Sequence, residues 1–272
     1  MRSSAGASGG CIAGPTWGLA EARIVSAAQP RPTRLGVLSL LLLLLSLQLL
    51  TKPACATQSY RYLQLYGWNL AVDERLYQDP VAIEAALRLT GVQLAQIVRA
   101  VPAKALRDLR QVPIWFSPPH AGQPPGGAYH PSQGWLAEHD RDIRMAKAVE
   151  LTNVAIFEQE TTRMPAFILH ELAHAYHDRV LGFDNPEVKA AYARALASGR
   201  YSHVERRNGR GHPNTPATLA YAMENEREYF AESTEALFAS NDFYPFDATE
   251  LRAFDVGMFG LLRRLWGVDE EA

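Results

Sequence analysis

The segment Phe167–Asp178, FILHELAHAYHD, constrains the fold of this chain more than any other stretch, because its polar side chains follow a helical repeat. At about 100° per residue, His170 and His174 lie about 40° apart on one face of a helix, and Glu171 flanks them. The opposite side is apolar and consists of Leu169, Leu172, Ala173, Tyr176 and Val180. The segment therefore predicts a helix that presents two histidines and a carboxylate together.

The spacing H-E-x-x-H suits a zinc-dependent hydrolase. Such an enzyme needs neutral imidazoles that converge on Zn²⁺, an open coordination position for water, and a carboxylate that takes the proton of that water. We expect His170 and His174 to be zinc ligands and Glu171 to be the general base. The alternative is a surface helix whose histidines are solvated. Asp178, one turn after His174, has two interpretations: it orients a ligating imidazole, or it is a surface acid.

A catalytic zinc site needs a third protein ligand, and the residues after the motif exclude one class. Metzincins continue with Gly three residues after the second His and with His three residues further on, where this chain has His177 and Val180. His203 and His212 lie in a polar, glycine-rich segment that indicates a loop, and either is an alternative ligand. A ligand on a flexible loop is poorly pre-organised, so a residue on a second helix is the better candidate.

The segment Tyr221–Phe238, YAMENEREYFAESTEALF, predicts that second helix, with Asn225 as its cap. It carries an acidic stripe: Glu228, Glu232 and Glu235. Without the H-E-x-x-H helix, this stripe would be interpreted as a solvated acidic face. Asn225 and Glu228 would then form only a capping box. Beside an H-E-x-x-H helix, we instead expect Glu228 to bind zinc and Glu232 to hold the far ring nitrogen of a histidine ligand.

HELAHAYHD followed by NEREYFAES resembles the motifs of the gluzincin class of zinc metallopeptidases, and the second motif is spaced most like that of the anthrax lethal factor catalytic domain. The resemblance covers roughly Arg163 to Ser240; more loosely, the region after residue 57 resembles secreted zincin-like proteins. It implies an α+β, zincin-like domain with a small mixed sheet, an active-site helix and a following helical subdomain. It also implies that Glu228 is the third zinc ligand and that Tyr221, seven residues earlier, assists the transition state.

Two segments before the H-E-x-x-H helix bear on substrate binding. Ser117–Ser132, SPPHAGQPPGGAYHPS, is rich in Pro and Gly and predicts a loop. Ala148–Phe157, AVELTNVAIF, alternates enough to predict a half-buried strand. By the resemblance, this strand would be the sheet edge that pairs with an extended peptide substrate. An ordinary core strand is the alternative.

Residues 1–56 predict an N-terminal targeting segment. A start with several Arg and a single acidic residue precedes Leu35–Leu50, an apolar run of 16 residues, and the small residues Ala54 and Ala56 follow. We expect a signal peptide that is cut after Ala56, in a secreted or periplasmic protein. The alternative is an uncleaved signal anchor that holds the protein in a membrane through residues 35–50, since that run is short for a membrane span but rich in Leu.

Residues 57–272 are expected to form one domain, because the chain is 47% hydrophobic and no long linker interrupts this part. The resemblance implies that this domain is zincin-like. The only cysteines, Cys11 and Cys55, precede the expected cut, so no disulfide would support the mature domain. From residue 57 onward, 22 Lys and Arg stand against 28 Asp and Glu, a net charge near −6. This balance gives no basic patch for nucleic acid.

The function expected from these features is hydrolysis of peptide bonds in a peptide or protein substrate, with one zinc ion per chain. Zinc would be held by His170, His174 and Glu228, with Glu171 as the base and Tyr221 as a hydrogen-bond donor to the oxyanion. Two alternatives stay open: a non-proteolytic zinc hydrolase of the cell envelope, and a degenerate zincin that serves as a binding module. The intact Glu171 argues against the second.

Overall fold

The computed structural model describes residues 58–209 and 215–270. These residues form an α+β fold in which a small mixed sheet packs against a helical part, so the expected fold class is confirmed at this level. The expected signal peptide or anchor, residues 1–56, lies outside the described residues, and so does His212.

The main sheet contains, within the described residues, five strands: β1 (Tyr60–Leu65), β2 (Trp68–Asp73), β3 (Ile114–Phe116), β4 (Gly127–His130) and β5 (Ala148–Leu151). Their order is β1-β2-β3-β5-β4, with the three inner strands parallel and the two outer strands antiparallel to their neighbours. The hairpin turn between β1 and β2, Tyr66 and Gly67, has φ angles of 52° and 91°. Two-residue hairpin turns favour such positive angles because they match the twist of the strands.

Nine α-helices are described: α1 (Pro80–Ala100), α2 (Ala103–Leu109), α3 (Gln133–Glu138), α4 (Phe157–Arg163), α5 (Phe167–Tyr176), α6 (Pro186–Ser198), α7 (Glu226–Phe238), α8 (Ala248–Phe254) and α9 (Val256–Leu265). The Asp79 side chain caps α1 by accepting from Ala82 N, and Pro80 occupies its first turn. By length and composition alone α1 is apolar enough to cross a membrane. Its Ile83 and Leu94 are nevertheless buried in the core.

The central strands are buried on both faces, as their short apolar sequences IWF and AVEL suggest. One face contributes to the main core together with the long helices. The other face is covered by a smaller apolar cluster that includes Trp115, Leu136 and Met145. Most of β1, by contrast, is exposed.

The H-E-x-x-H segment forms α5, as the sequence predicts. Every residue of α5 except His174 is buried, so the alternative of a surface helix with solvated histidines is wrong. A wider, π-helical turn, His177–Leu181, continues the helix and ends at Gly182, whose φ is 78°. Val180 lies in that turn, and it is 45% exposed rather than part of the apolar side.

The second predicted helix begins later than Tyr221. Residues Tyr221–Met223 form a separate 3₁₀ turn, and α7 starts only after Asn225. The Asn225 side chain accepts hydrogen bonds from Arg227 N at 2.9 Å and from Glu228 N at 3.1 Å, which confirms it as the cap. Helix α7 packs directly against α5.

The strand expected over Ala148–Phe157 is shorter than predicted, and it does not form an edge of the sheet. Strand β5 ends at Leu151, and a 3₁₀ turn, Val154–Ile156, leads into α4. Strand β5 lies between β3 and β4, so the alternative of a core strand is the one found. One edge of the described sheet is formed by β1 and the other by β4, which lies inside the segment for which the Pro and Gly content predicts a loop.

The polar segment around His203 also contains secondary structure that its composition does not indicate. Strands β6 (Val204–Arg206) and β7 (Thr215–Thr218) pair to form a two-stranded antiparallel ribbon. This ribbon lies between α6 and the turn that precedes α7 in the chain.

Candidate metal centre

His170, His174 and Glu228 come together between α5 and α7. The two Nε2 atoms are 3.1 Å apart, and Glu228 Oε2 lies 3.1 Å from His170 Nε2 and 3.3 Å from His174 Nε2. A tetrahedral zinc ion with bonds of about 2.0–2.1 Å holds its ligand atoms about 3.3 Å apart. The three side chains predicted from the sequence therefore have the spacing of zinc ligands.

The chemistry of this triangle fits a cation. If both imidazoles present unprotonated Nε2 atoms, three electron lone pairs face one another, which is unfavourable unless positive charge lies between them. If an imidazole is instead protonated, it supplies that positive charge itself. Burial raises the pKa of Glu228, but hydrogen bonds donated by protonated His170 and His174 outweigh it and hold the pKa of that carboxyl well below its usual range. Two imidazoles and one carboxylate are a donor set that zinc uses in hydrolases.

Glu235 orients the His170 ring. Its Oε1 lies 2.7 Å from His170 Nδ1, whereas Glu232 Oε1 lies 3.8 Å away. The expectation that Glu232 makes this hydrogen bond is therefore wrong. Seven residues along a helix return to within about 20° of the starting direction, whereas four residues overshoot by about 40°. Glu235 therefore lies more nearly in line with Glu228 and reaches the far side of the same imidazole.

We predict that Glu235→Ala lowers the affinity for zinc by about 10- to 100-fold, because His170 Nδ1 then loses the acceptor that fixes its tautomer and ring orientation. Glu232→Ala, the matched change one turn earlier, should have a smaller effect. Competition with a chromogenic chelator measures both affinities. A larger loss of affinity in Glu232→Ala than in Glu235→Ala would contradict this assignment.

Glu171 is held in place by the edge strand. Its Oε2 accepts a hydrogen bond from Tyr129 N at 2.9 Å, and only 7% of the residue is exposed. The carboxyl group lines the same cavity as His170, His174 and Glu228. The expected base thus lies beside the three candidate ligand atoms, positioned by a backbone amide rather than by an ion pair.

Tyr221 reaches the cavity from the turn before α7. Its ring centroid is 6.4 Å from that of His170, and the side chain lines the cavity beside Glu171. Burial, and then the negative charge of Glu228, raise the pKa of Tyr221. The hydroxyl therefore keeps its proton at neutral pH and is available as a donor.

Asp178 does not orient a histidine. Its Oδ2 accepts a hydrogen bond from the Tyr129 hydroxyl at 2.6 Å and pairs with Lys147. Asp178 therefore links β4 to the turn that follows α5. Neither of the two interpretations drawn from the sequence included this role.

A buried carboxylate on the neighbouring strand β5 also holds β4 in place, and no pattern in the sequence indicates it. Glu150 on β5 contacts His130 Nε2 at 2.8 Å, His120 Nε2 at 2.9 Å and Arg141 at 2.7 Å. Burial raises the pKa of Glu150, but the hydrogen bonds from His130 and His120 contribute to an opposing effect that lowers it to about 2. This ionised cluster fixes the edge strand that carries the Glu171 contact.

Neither His177 nor the alternative ligand His203 joins the site. His177 is fully buried between Phe183 and Phe230, and its ring nitrogens have no hydrogen-bond partner among the described residues. Burial lowers the pKa of His177 to about 4, so it is neutral. His203 is exposed and lies 3.3 Å from Ser202 Oγ.

The cavity over the three candidate ligand atoms has a volume of about 240 Å³. Gly127 forms part of its wall, and a Cβ atom there would lie 2.6 Å from the Phe167 ring and 3.2 Å from Glu171 Cγ. A side chain at this position would therefore force the buried Phe167 ring to move, so glycine suits the close approach of β4 to α5. No protein-family model, curated protein or solved structure shows significant similarity to this chain.

Proposed function

We propose that this chain is a zinc metallopeptidase with a zincin-like domain, secreted through residues 1–56. The observation that carries the proposal is the convergence of His170 Nε2, His174 Nε2 and Glu228 Oε2 within 3.3 Å of one another, with Glu171 on the wall of the same cavity. When bound there, zinc supplies a Lewis acid that activates water and polarises the scissile carbonyl.

Glu171 is the proposed general base. Its carboxylate accepts the proton of the attacking water and passes it to the leaving amine. The hydrogen bond from Tyr129 N occupies Oε2, which holds the carboxyl group in one orientation and leaves Oε1 for this transfer. Proton transfer of this kind depends on positioning, and here the sheet edge provides it.

Strand β4 is the proposed support for an extended substrate. It is an outer strand of the described sheet, and its Tyr129 N–H points to Glu171 in the cavity. A peptide that adds to such an edge gains main-chain hydrogen bonds and is held straight across the site. This feature favours a peptide over a compact small-molecule substrate.

The test is digestion of a mixture of synthetic peptides by the purified, zinc-loaded full-length chain. Mass spectrometry should find new peptide termini at internal positions, and a metal chelator should abolish them. If no peptide in a broad mixture is cut while zinc is bound, hydrolysis of peptide bonds is the wrong activity.

Tyr221→Phe should lower turnover by roughly 10²- to 10³-fold, the usual effect of removing one oxyanion donor. Zinc content and KM should hardly change, because the aromatic ring stays and only the hydroxyl is lost. The measurement is kcat and KM on a cleaved peptide. Tyr201→Phe is the matched control, since that buried hydroxyl bonds to Asp255 away from the site. Wild-type turnover in Tyr221→Phe would remove this residue from the mechanism.

A further inference from the structure

A second cavity of about 300 Å³ adjoins the metal centre. Four residues, Gly127, His170, Glu171 and Tyr221, line both cavities. A substrate whose scissile bond lies at Glu171 would therefore place a neighbouring side chain in the second cavity. The composition of its walls would then select that side chain.

Four charged residues in this wall offset one another. Arg163 pairs with Glu160 at 2.8 Å, and Arg206 Nε pairs with Asp242 Oδ2 at 3.0 Å. Arg163 also lies 3.8 Å from Asp242. Both guanidinium groups are thus already occupied by carboxylates of the protein, which leaves them poorly placed to bind an acidic ligand.

Glu232 is a second acidic residue of this wall, besides Glu171, that pairs with no arginine or lysine among the described residues; its nearest basic group is His170 Nδ1, at 3.8 Å. The residue is 2% exposed, and its Oε2 has no hydrogen-bond partner among the described residues. Glu235, and not Glu232, makes the close contact to His170 Nδ1.

Apolar side chains complete the cavity. Met164, Phe167 and Phe243 line it beside the acidic group. Long basic side chains combine an aliphatic stem with a terminal cation, and such a stem packs well on apolar walls while its end reaches a carboxylate. An apolar wall with a buried carboxyl oxygen, Glu232 Oε2, that accepts no hydrogen bond among the described residues complements that shape and charge.

We propose that the second cavity binds a lysine or arginine side chain of the substrate next to the scissile bond, and that Glu232 selects it. The inference rests on the proposed peptidase function, because it assumes that a peptide lies across the metal centre. It gives Glu232 a role in specificity in place of the orienting role expected from the sequence.

The test uses tripeptide hydroxamates, whose hydroxamate group chelates zinc, on the zinc-loaded full-length chain. Each position in turn carries lysine or its uncharged analogue norleucine, and calorimetry gives the Kd of each. At one position lysine should bind about 10- to 100-fold more tightly than norleucine. Glu232→Gln should bring this ratio close to one without loss of zinc. Glu158→Gln, which alters an exposed glutamate outside this cavity, should keep the ratio well above one.

The outcomes separate the two proposals. If hydroxamates bind but lysine and norleucine bind equally, or if the lysine preference survives Glu232→Gln, the inference fails and the metallopeptidase proposal stands. If no hydroxamate binds the zinc-loaded chain, both fail. Should Glu232→Gln not fold, arginine against citrulline in the wild-type chain decides instead, because citrulline has a closely similar shape without the charge.

Discussion

Replacing His174 with alanine should reduce the zinc content of the purified full-length chain from about one ion per molecule to nearly none, because two remaining protein ligands bind zinc weakly. His174 is the one residue of α5 that is not buried, so its loss should disturb packing less than the loss of His170. Elemental analysis after dialysis against zinc-containing buffer and removal of free metal measures the content.

The matched control is His203→Ala, which removes an exposed histidine outside the cavity and should leave the zinc content unchanged. Stoichiometric zinc in His174→Ala would contradict the assigned site. The group formed by His170, Glu232 and Glu235 would then be the better candidate for the metal ligands.

Glu171→Gln should retain zinc and lose about 10²- to 10⁴-fold in turnover, the usual contribution of a general base. The amide has the shape of the carboxylate without its basicity, and its oxygen still accepts the hydrogen bond from Tyr129 N. The loss should therefore appear in kcat with little change in fold or metal content. Steady-state kinetics on a cleaved peptide, with zinc measured in the same sample, is the assay.

The control for this change is Glu158→Gln, which alters an exposed glutamate on α4 and should have wild-type kinetics. If Glu171→Gln turned over substrate at the wild-type rate, Glu171 would not be the base. A Glu171→Gln chain that lost its zinc would instead point to a structural role for this carboxyl group in the metal site.

The part of the site that could be predicted from the sequence is the part fixed by local helical geometry. His170 and His174 are separated by about one turn, so a helix brings them together whatever surrounds it. The Asn225 cap is equally local, because its side chain bonds to Arg227 N and Glu228 N, two and three residues further on.

The part that could not be predicted depends on how distant segments pack. The choice between Glu232 and Glu235 as the partner of His170 is decided by how α5 and α7 lie against each other, which no local pattern encodes. The edge strand β4 was not predicted, because its sequence, GAYH, follows a run of Pro and Gly and is too short to show alternation of apolar and polar residues.

The cluster around Glu150 was missed for a related reason. His120, His130 and Arg141 are spread over twenty-two positions and meet only because β4 pairs with β5. Each residue alone is ordinary in a polar loop. Only strand pairing shows that they surround one buried carboxylate and so hold the strand that positions Glu171.

The most direct test of the metal centre is the location of zinc in crystals of the zinc-loaded protein by anomalous diffraction at the zinc edge. The predicted result is one strong peak per chain, about 2.0–2.2 Å from His170 Nε2, His174 Nε2 and a Glu228 carboxylate oxygen, beside Glu171. A peak on the other side of the His170 ring, between Nδ1, Glu232 and Glu235, or no peak at either position, would contradict it.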